Sequence, residues 1–350
     1  MKKLFLIIPI FLIILATYIF LYLPCQREVT KWEGFVPYLL GASKPTTYLI
    51  LLGNDTEIRA NGGFAGSYAK ITLDSPLLAS RSRSKGEAAK PRGIKSPICH
   101  LRSDICNLEH NISFHDIYVP NGQTLDKYVA PPLPIQQAFG HGTWELANAD
   151  YDPDFPTAAT SLRWFFDKGG EINPDILGII NLTTIKKVLD QVGSFEVQQY
   201  SATLTPDNLY LFLQGKVETD FFPGSTKKAD ALHNVGNALI KKIKTLPLTK
   251  KIKIAKILYQ DFKNQNLVIN SRNSDFQNFL VKNKLAGEYK APNTIDYFGM
   301  VELNLGANKA NQYVTRQTSH TIKYTDQPIS PITDTLTHRN TDLTDYRPTD

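Results

Sequence analysis

Between Leu4 and Leu23 the chain runs for twenty residues without a charge. No other feature restricts the fold as much. At 1.5 Å per residue a helix of that length spans roughly 30 Å, the thickness of one bilayer core. Backbone in hydrocarbon must satisfy its own hydrogen bonds, so the segment is expected to be helical. A secretory signal has a shorter apolar stretch, on the order of 7–15 residues, and a small-x-small cleavage site. Here the run ends in Tyr22-Leu23-Pro24-Cys25, and Pro24 is a poor residue before a lipidated cysteine. The segment therefore reads as an uncleaved, single-pass signal-anchor. Lys2 and Lys3 favour a cytoplasmic N-terminus, while Arg27 and Lys31 reduce the contrast. The very short N-terminal tail decides for a chain that is extracytoplasmic from Arg27 onward, in the cell membrane.

The rest of the chain is long enough for one large core and the start of another. Over the whole chain the hydrophobic fraction of 42% and charged fraction of 21% are those of a globular protein. The net charge of +6 suits an anionic surface or ligand without demanding nucleic acid. No RNA- or DNA-binding motif occurs, and nucleic acid is set aside as a partner. Of the three cysteines, Cys25 sits at the membrane edge, and Cys99 and Cys106 share one polar loop. His100, His110 and His115 lie close by, but the spacing matches no zinc pattern. Free thiols and a local disulfide both remain open.

The patterning divides the chain into a cytoplasmic tip and anchor (1–25), a juxtamembrane helix or linker (26–45), an α/β domain (46–303) and an incomplete β-rich segment (304–350). Val29, Trp32, Phe35, Val36 and Leu39 recur at helical spacing, as on a short amphipathic helix rising from the membrane. "TTYLILL" (Thr46–Leu52) and Phe64–Leu73 read as strands. Residues 75–111 are small, polar and basic, and cannot bury enough apolar surface to fold alone. A strand begins near Ile112 and is followed by a turn at Asn121-Gly122. Pro156 predicts a helix start, with Ala158, Leu162, Phe165 and Phe166 on one face and Gly169-Gly170 at its end. "PDILGIINLTTIKKVLDQVGSFEV" reads as strand, helix, strand, with Thr183 or Thr184 as cap and Gly193 as stop. This βαβ-like unit makes the sheet at least partly parallel. Helices are expected over 206–218, 226–245, 249–265 and 274–283, and a core strand over Ile295–Val301. The fold class is thus α/β, a mixed, partly parallel central sheet flanked by helices.

Two stretches stand out chemically. "KKIKTLPLTKKIKIAK" (241–256) holds seven lysines and no acid. It is either a lysine rim over a packed face or a contact for a membrane surface or an anionic glycan. Between the first two strands lies Gly53-Asn54-Asp55-Thr56-Glu57-Ile58-Arg59-Ala60-Asn61-Gly62-Gly63. A hairpin needs only about two to five residues. The loop is either an ornate connector or a holder of something anionic.

"YLILLGNDTEIRANGGFAGSYAKITLD" resembles the domain of unknown function 4012 family of bacterial membrane-anchored proteins. The hallmark is a strand, then Glu-x-Arg-x-x-Gly-Gly-Phe, then a strand; here those residues are Glu57, Arg59, Gly62, Gly63 and Phe64. "DIYVPNGQTLDKYVAPPLPI", "DYDPDFPTAAT", the strand–helix–strand stretch and "LNLGANKAN" agree with the family in order, over about residues 30–315. Two departures stand out. The basic insertion is long, and the usual Leu-Arg-Asp-Ala-Asn reads Leu146-Ala147-Asn148-Ala149-Asp150, without its arginine.

The strand–helix–strand unit, and the layout of one anchor before an extracytoplasmic α/β domain, are also remotely similar to the LytR-CpsA-Psr family. Those proteins transfer glycan polymers from polyprenyl pyrophosphate lipids to the cell wall. That resemblance implies phosphoryl transfer, which needs cations on phosphate oxygens, often with magnesium held by carboxylates. Arg59 is then the phosphate clamp. Gly62 and Gly63 let backbone amides approach an anion. Asp55, Glu57, Asp150 and Asp154 supply carboxylates, with Asp55 and Asp154 as the magnesium ligands. Each has an architectural counterpart: Arg59 bracing Glu57 or Asp55, and Asp154 capping the helix at Pro156. Two readings stand. One is a magnesium-dependent transferase of polyprenyl pyrophosphate-linked glycan. The alternative is a non-catalytic envelope scaffold or wall-polymer-binding protein. The charged loop between two buried strands favours the first, and the missing arginine and the incomplete C-terminal segment favour the second.

Overall fold

The computed structural model describes residues 32, 34–41, 44–74, 109–122, 128–140, 142–218, 226–290, 298–304, 310–323 and 330–339. The expected anchor, the three cysteines and the basic insertion as far as residue 108 lie outside them. Among the described residues no helix is long and apolar enough to cross a membrane.

In chain order the elements are α1 (Val36–Leu39), β1 (Thr46–Asn54), β2 (Phe64–Asp74), β3 (Glu109–Asp116), α2 (Tyr118–Gly122), α3 (Leu133–Phe139), α4 (Phe155–Lys168), β4 (Ile176–Asn181) and α5 (Leu182–Val192). Next come β5 (Phe195–Val197), β6 (Ala202–Leu204), α6 (Leu209–Glu218), α7 (Thr226–Thr245), α8 (Leu248–Lys263), β7 (Leu267–Ser271) and α9 (Ser274–Lys282). Strands β8 (Val314–His320) and β9 (Ile332–His338) follow.

Five strands form one sheet in the order β3-β2-β1-β4-β7. Only the β1–β4 pair is parallel, with Tyr48 opposite Ile176 and Gly53 opposite Asn181. The pairs β1–β2, β2–β3 and β4–β7 are antiparallel. The central strand β1 buries Thr46, Tyr48, Leu49, Ile50 and Leu51; successive residues point to opposite faces. A strand buried on both faces must be covered by helices on both sides. On one face α4 lays Phe155, Ala158, Leu162, Phe165 and Phe166 against Leu49, Leu51, Leu177 and Ile179. Each such aromatic or leucine side chain contributes about 1.5–3 kcal/mol by leaving water. On the other face Tyr48, Ile50, Ile71 and Ile176 meet Phe262 of α8 and Phe276 and Leu280 of α9. A further cluster joins α5, α7 and α8 over the small β5–β6 hairpin, through Val188, Leu189, Val197, Leu204, Leu239, Ile254 and Leu258.

The helical spacing around Trp32 is kept in α1, and Trp32 and Phe35 pack on Phe276 and Phe279, the Trp32 and Phe279 rings meeting edge to face at 4.8 Å. Further along the chain several local expectations are corrected. Asn121-Gly122 ends a helical turn instead of forming a strand turn. The strand–helix–strand stretch does not return to the central sheet, because β5 pairs with β6. The parallel pair is β1–β4, joined by a long crossover that carries α4. Strand β7 was not expected: Leu267-Val268-Ile269 is an apolar run too short to separate from a helix by period. Residues 298–301 are irregular, and Phe298 and Met300 are exposed, so this part of the expected Ile295–Val301 strand is not in the core. The Thr-rich alternation does form an antiparallel hairpin, β8–β9.

Candidate functional site

Strands β1 and β4 run side by side and end together, Gly53 opposite Asn181. The carboxyl ends of parallel strands are where open α/β sheets place their ligands. The signature loop leaves β1 at this point, and α5 leaves β4.

The loop folds on itself first. Asn54 Oδ1 accepts from Thr56 N at 3.1 Å and from Thr56 Oγ1 at 2.8 Å. The Glu57 N–H donates to Asn54 O at 3.1 Å, and the Phe64 N–H to Glu57 O at 2.8 Å. Gly62 adopts φ +121°, a conformation side chains rarely take, and its α-carbon faces the Asn181 amide. A Cβ there would lie 2.3 Å from Asn181 Oδ1. A Cβ on Gly63 would lie 2.3 Å from the Asn54 backbone. Both glycines are therefore required by close approach within the protein.

Arg59 points inward and is 4% exposed. Its Nη2 donates to Glu57 Oε1 at 3.0 Å and to Asn148 Oδ1 at 3.4 Å. Its Nη1 donates to Ile58 O at 3.2 Å and to Asn304 O. The guanidinium carbon stands 5.2 Å from the centre of the Phe64 ring, a cation–π distance. Asn304 N in turn donates to Ile58 O at 2.9 Å, and Asn311 N to Thr56 O at 3.1 Å. Asn61 Nδ2 donates to Asp150 O at 3.1 Å and Asp152 O at 2.8 Å. The loop thus ties together β1, the 148–152 segment, Asn304 and Asn311.

Asp150 lies in this knot, 2% exposed. Neither carboxylate oxygen has a hydrogen-bond partner among the described residues, nor has the buried Arg59 Nε. Burial pushes the Asp150 carboxyl up to about 7, against the attraction of Arg59. A buried charge without direct partners is costly, which favours the neutral acid.

The remaining expected residues sit elsewhere. Asp55 accepts from Thr183 N at 3.3 Å and from Thr183 Oγ1, capping the first turn of α5 from outside that helix. Asp154 is the N-cap of α4, accepting from Thr157 N at 3.2 Å and Thr157 Oγ1 at 2.7 Å; its other oxygen accepts from Tyr289 N at 3.1 Å. Glu57, Arg59 and Asp150 come together, then, while Asp55 and Asp154 serve two different helices. Among the described residues no group of three His, Cys, Asp or Glu side chains converges as a metal site. The donors in the knot do not fit a magnesium ion: one carboxylate has unspent oxygens, and it faces a guanidinium, where octahedral magnesium needs oxygen donors all round. His115 stacks on Tyr68 and meets Ser113 Oγ at 2.7 Å.

Sequence reasoning missed the asparagines. Asn148, Asn181, Asn304 and Asn311 line or lock the loop. Asn181, at a strand-to-helix junction, carried the signal of a helix N-cap. Asn304 and Asn311 bracket the family-like "LNLGANKAN" stretch.

Among solved structures the chain is similar to TagV of Bacillus subtilis (14% identity, TM-score 0.36, covering 70% of this chain and 80% of that one). It is also similar to gbs0355 of Streptococcus agalactiae (13%, 0.39, 71% and 75%) and Lin1025 of Listeria innocua (11%, 0.32, 69% and 79%). No curated protein matches it. The family model described as a protein of unknown function, DUF4012, matches residues 43–217, which hold the signature loop, α4, β4 and α5. With half of its length matched, from Glu57-x-Arg59-x-x-Gly62-Gly63-Phe64 through the strand–helix unit, the chain belongs to the DUF4012 family.

Proposed function

We propose that this chain is a non-catalytic protein of the bacterial cell envelope, held at the membrane by Leu4–Leu23 with its α/β domain outside the cytoplasm, that binds wall polymer or a protein partner. The observation that carries this reading is the state of Arg59. Its guanidinium is buried, and both terminal nitrogens are committed to Glu57, Asn148 and two backbone carbonyls. A phosphate clamp needs a pair of donors presented to an open cleft. The Asp55 and Asp154 carboxylates are likewise engaged as caps. The signature motif then acts as an architectural joint at the carboxyl ends of β1 and β4.

One observation favours the second reading, a glycan phosphotransferase of LytR-CpsA-Psr type. Asp150, with a pKa near 7 and two oxygens without partners among the described residues, has the protonation behaviour of a general base. Its burial separates it from any acceptor hydroxyl unless the loop opens.

Binding of a polyprenyl pyrophosphate to the full chain in detergent micelles, with and without magnesium, separates the two. The scaffold reading predicts no magnesium-dependent, saturable binding. Such binding, together with glycan transfer to an acceptor, would establish the transferase.

A further inference from the structure

The stretch from α7 through α8 is strongly basic. Between Thr226 and Lys263 there are ten lysines and two acids, although the whole chain carries only +6. On α8, Lys250, Lys253, Lys256 and Lys263 are exposed and spaced by three, three and seven residues, which puts them along one helix face. That face borders a groove of about 500 Å³ between α5 and α8. Its walls carry Lys187, Gln191, Lys253, Lys256, Gln260 and Asn264. The acid on its floor, Asp261, is 2% exposed and already committed. It accepts from Lys187 Nζ at 2.8 Å, Thr184 Oγ1 at 2.7 Å and Asn266 Nδ2 at 3.3 Å. These bonds fix α5 to α8 and leave Lys253 and Lys256 as the charges presented outward. Leu189, Ile254 and Leu258 are buried in one cluster that joins the two walls.

We infer that this groove binds a linear polyanion of phosphodiester-linked polyol or glycan units; the inference rests on the wall-polymer reading above and supplies its site. The lining selects among polyanions. Lysines answer phosphates, and the amides of Gln191, Gln260 and Asn264 answer hydroxyls. No aromatic ring lines the groove, and stacking platforms are what single-stranded nucleic acids use. Leu248 is the one large, exposed apolar side chain of α8, whereas a helix that beds into lipid presents an apolar face. From Lys250 to Lys263 the stripe runs about 20 Å at 1.5 Å per residue, enough for several repeating units.

The test uses the full chain in detergent micelles with poly(glycerol phosphate) as probe, and dextran, oligothymidylate and phosphatidylglycerol vesicles as comparators. Lys253→Glu with Lys256→Glu changes the groove, and Lys168→Glu with Lys282→Glu makes the same charge change on α4 and α9. All four side chains are exposed, and matching unfolding midpoints verify that both variants fold. The inference predicts at least tenfold weaker polymer binding for the groove variant and less than twofold for the other. It also predicts a shallower salt dependence, by roughly two ion contacts. Polymer binding weakened equally in both variants overturns the groove assignment and leaves the polymer-binding reading standing. A wild-type chain that binds vesicles or oligothymidylate and not the polymer overturns both.

Discussion

Replacing Asp150 by asparagine isolates the electrostatics of the signature joint. The carboxyl has a pKa of about 7 in the folded chain, where an ordinary aspartate has 3.8. A carboxyl whose folded pKa is raised is most compatible with folding below its unfolded pKa. Folding stability then falls as pH climbs from about 4 to about 7, and each further unit above the folded value changes nothing more. About three pKa units correspond to roughly 4 kcal/mol. An asparagine side chain cannot ionise and has nearly the same shape as the acid. D150N is therefore expected to unfold at a higher temperature than the wild type at pH 8, by several degrees, and to show little advantage at pH 4. Thermal unfolding of both proteins from pH 4 to 8 in the same micelles measures this, and taking the difference at each pH removes the other titrating groups. A difference that is flat with pH, or a variant less stable at pH 8 than at pH 4 relative to wild type, would refute the placement of Asp150 as a buried, unpartnered acid.

Two further substitutions probe how the joint and the sheet are held. Gly62→Ala puts a methyl group 2.3 Å from Asn181 Oδ1 at a backbone angle that disfavours side chains, so a loss of about 2 kcal/mol or more is expected by urea unfolding. Adding Asn181→Ala should restore part of that loss by removing the clash. Asp175 titrates in the opposite sense to Asp150. Burial alone would raise its pKa, but hydrogen bonds from Thr47 N and Thr47 Oγ1, both 2.9 Å, together with Lys44, bring it below the usual range. Its contribution is present above about pH 4 and is lost as pH falls through the folded value. Asp175→Asn should then cost about 1–3 kcal/mol at pH 7 and progressively less in acid, which unfolding midpoints across pH will show.

The periodic elements were legible because their patterns are long. α4 begins and ends where Pro156 and Gly169-Gly170 place it, and the β1 and β2 boundaries differ from the sequence reading by two residues or fewer. Elements set by long-range pairing were not legible. Strand β7 exists because it pairs with β4, and the parallel contact lies between β1 and β4, more than a hundred residues apart in sequence. In the signature loop, residue type indicated that Arg59 and its acidic neighbours matter, but not which way they point. Arg59 as a brace and Arg59 as a clamp have the same sequence. Burial against Phe64, Asn148 and Asn304 distinguishes them, and Asn304 lies 245 residues away.

The most direct measurement is a double-mutant cycle on Glu57 and Arg59 in the full chain, read by urea unfolding in micelles and paired with polyprenyl pyrophosphate binding. The two side chains are 7% and 3% exposed and meet at 3.0 Å. A buried brace predicts that Arg59→Ala and Glu57→Ala each cost about 3–5 kcal/mol, because either leaves a charge stranded. The double variant should then lose less than the sum of the two, by a coupling of about 1–3 kcal/mol. An Arg59→Ala variant as stable as wild type, with no coupling to Glu57 and with saturable pyrophosphate binding abolished, would contradict the account and make Arg59 a ligand-binding residue.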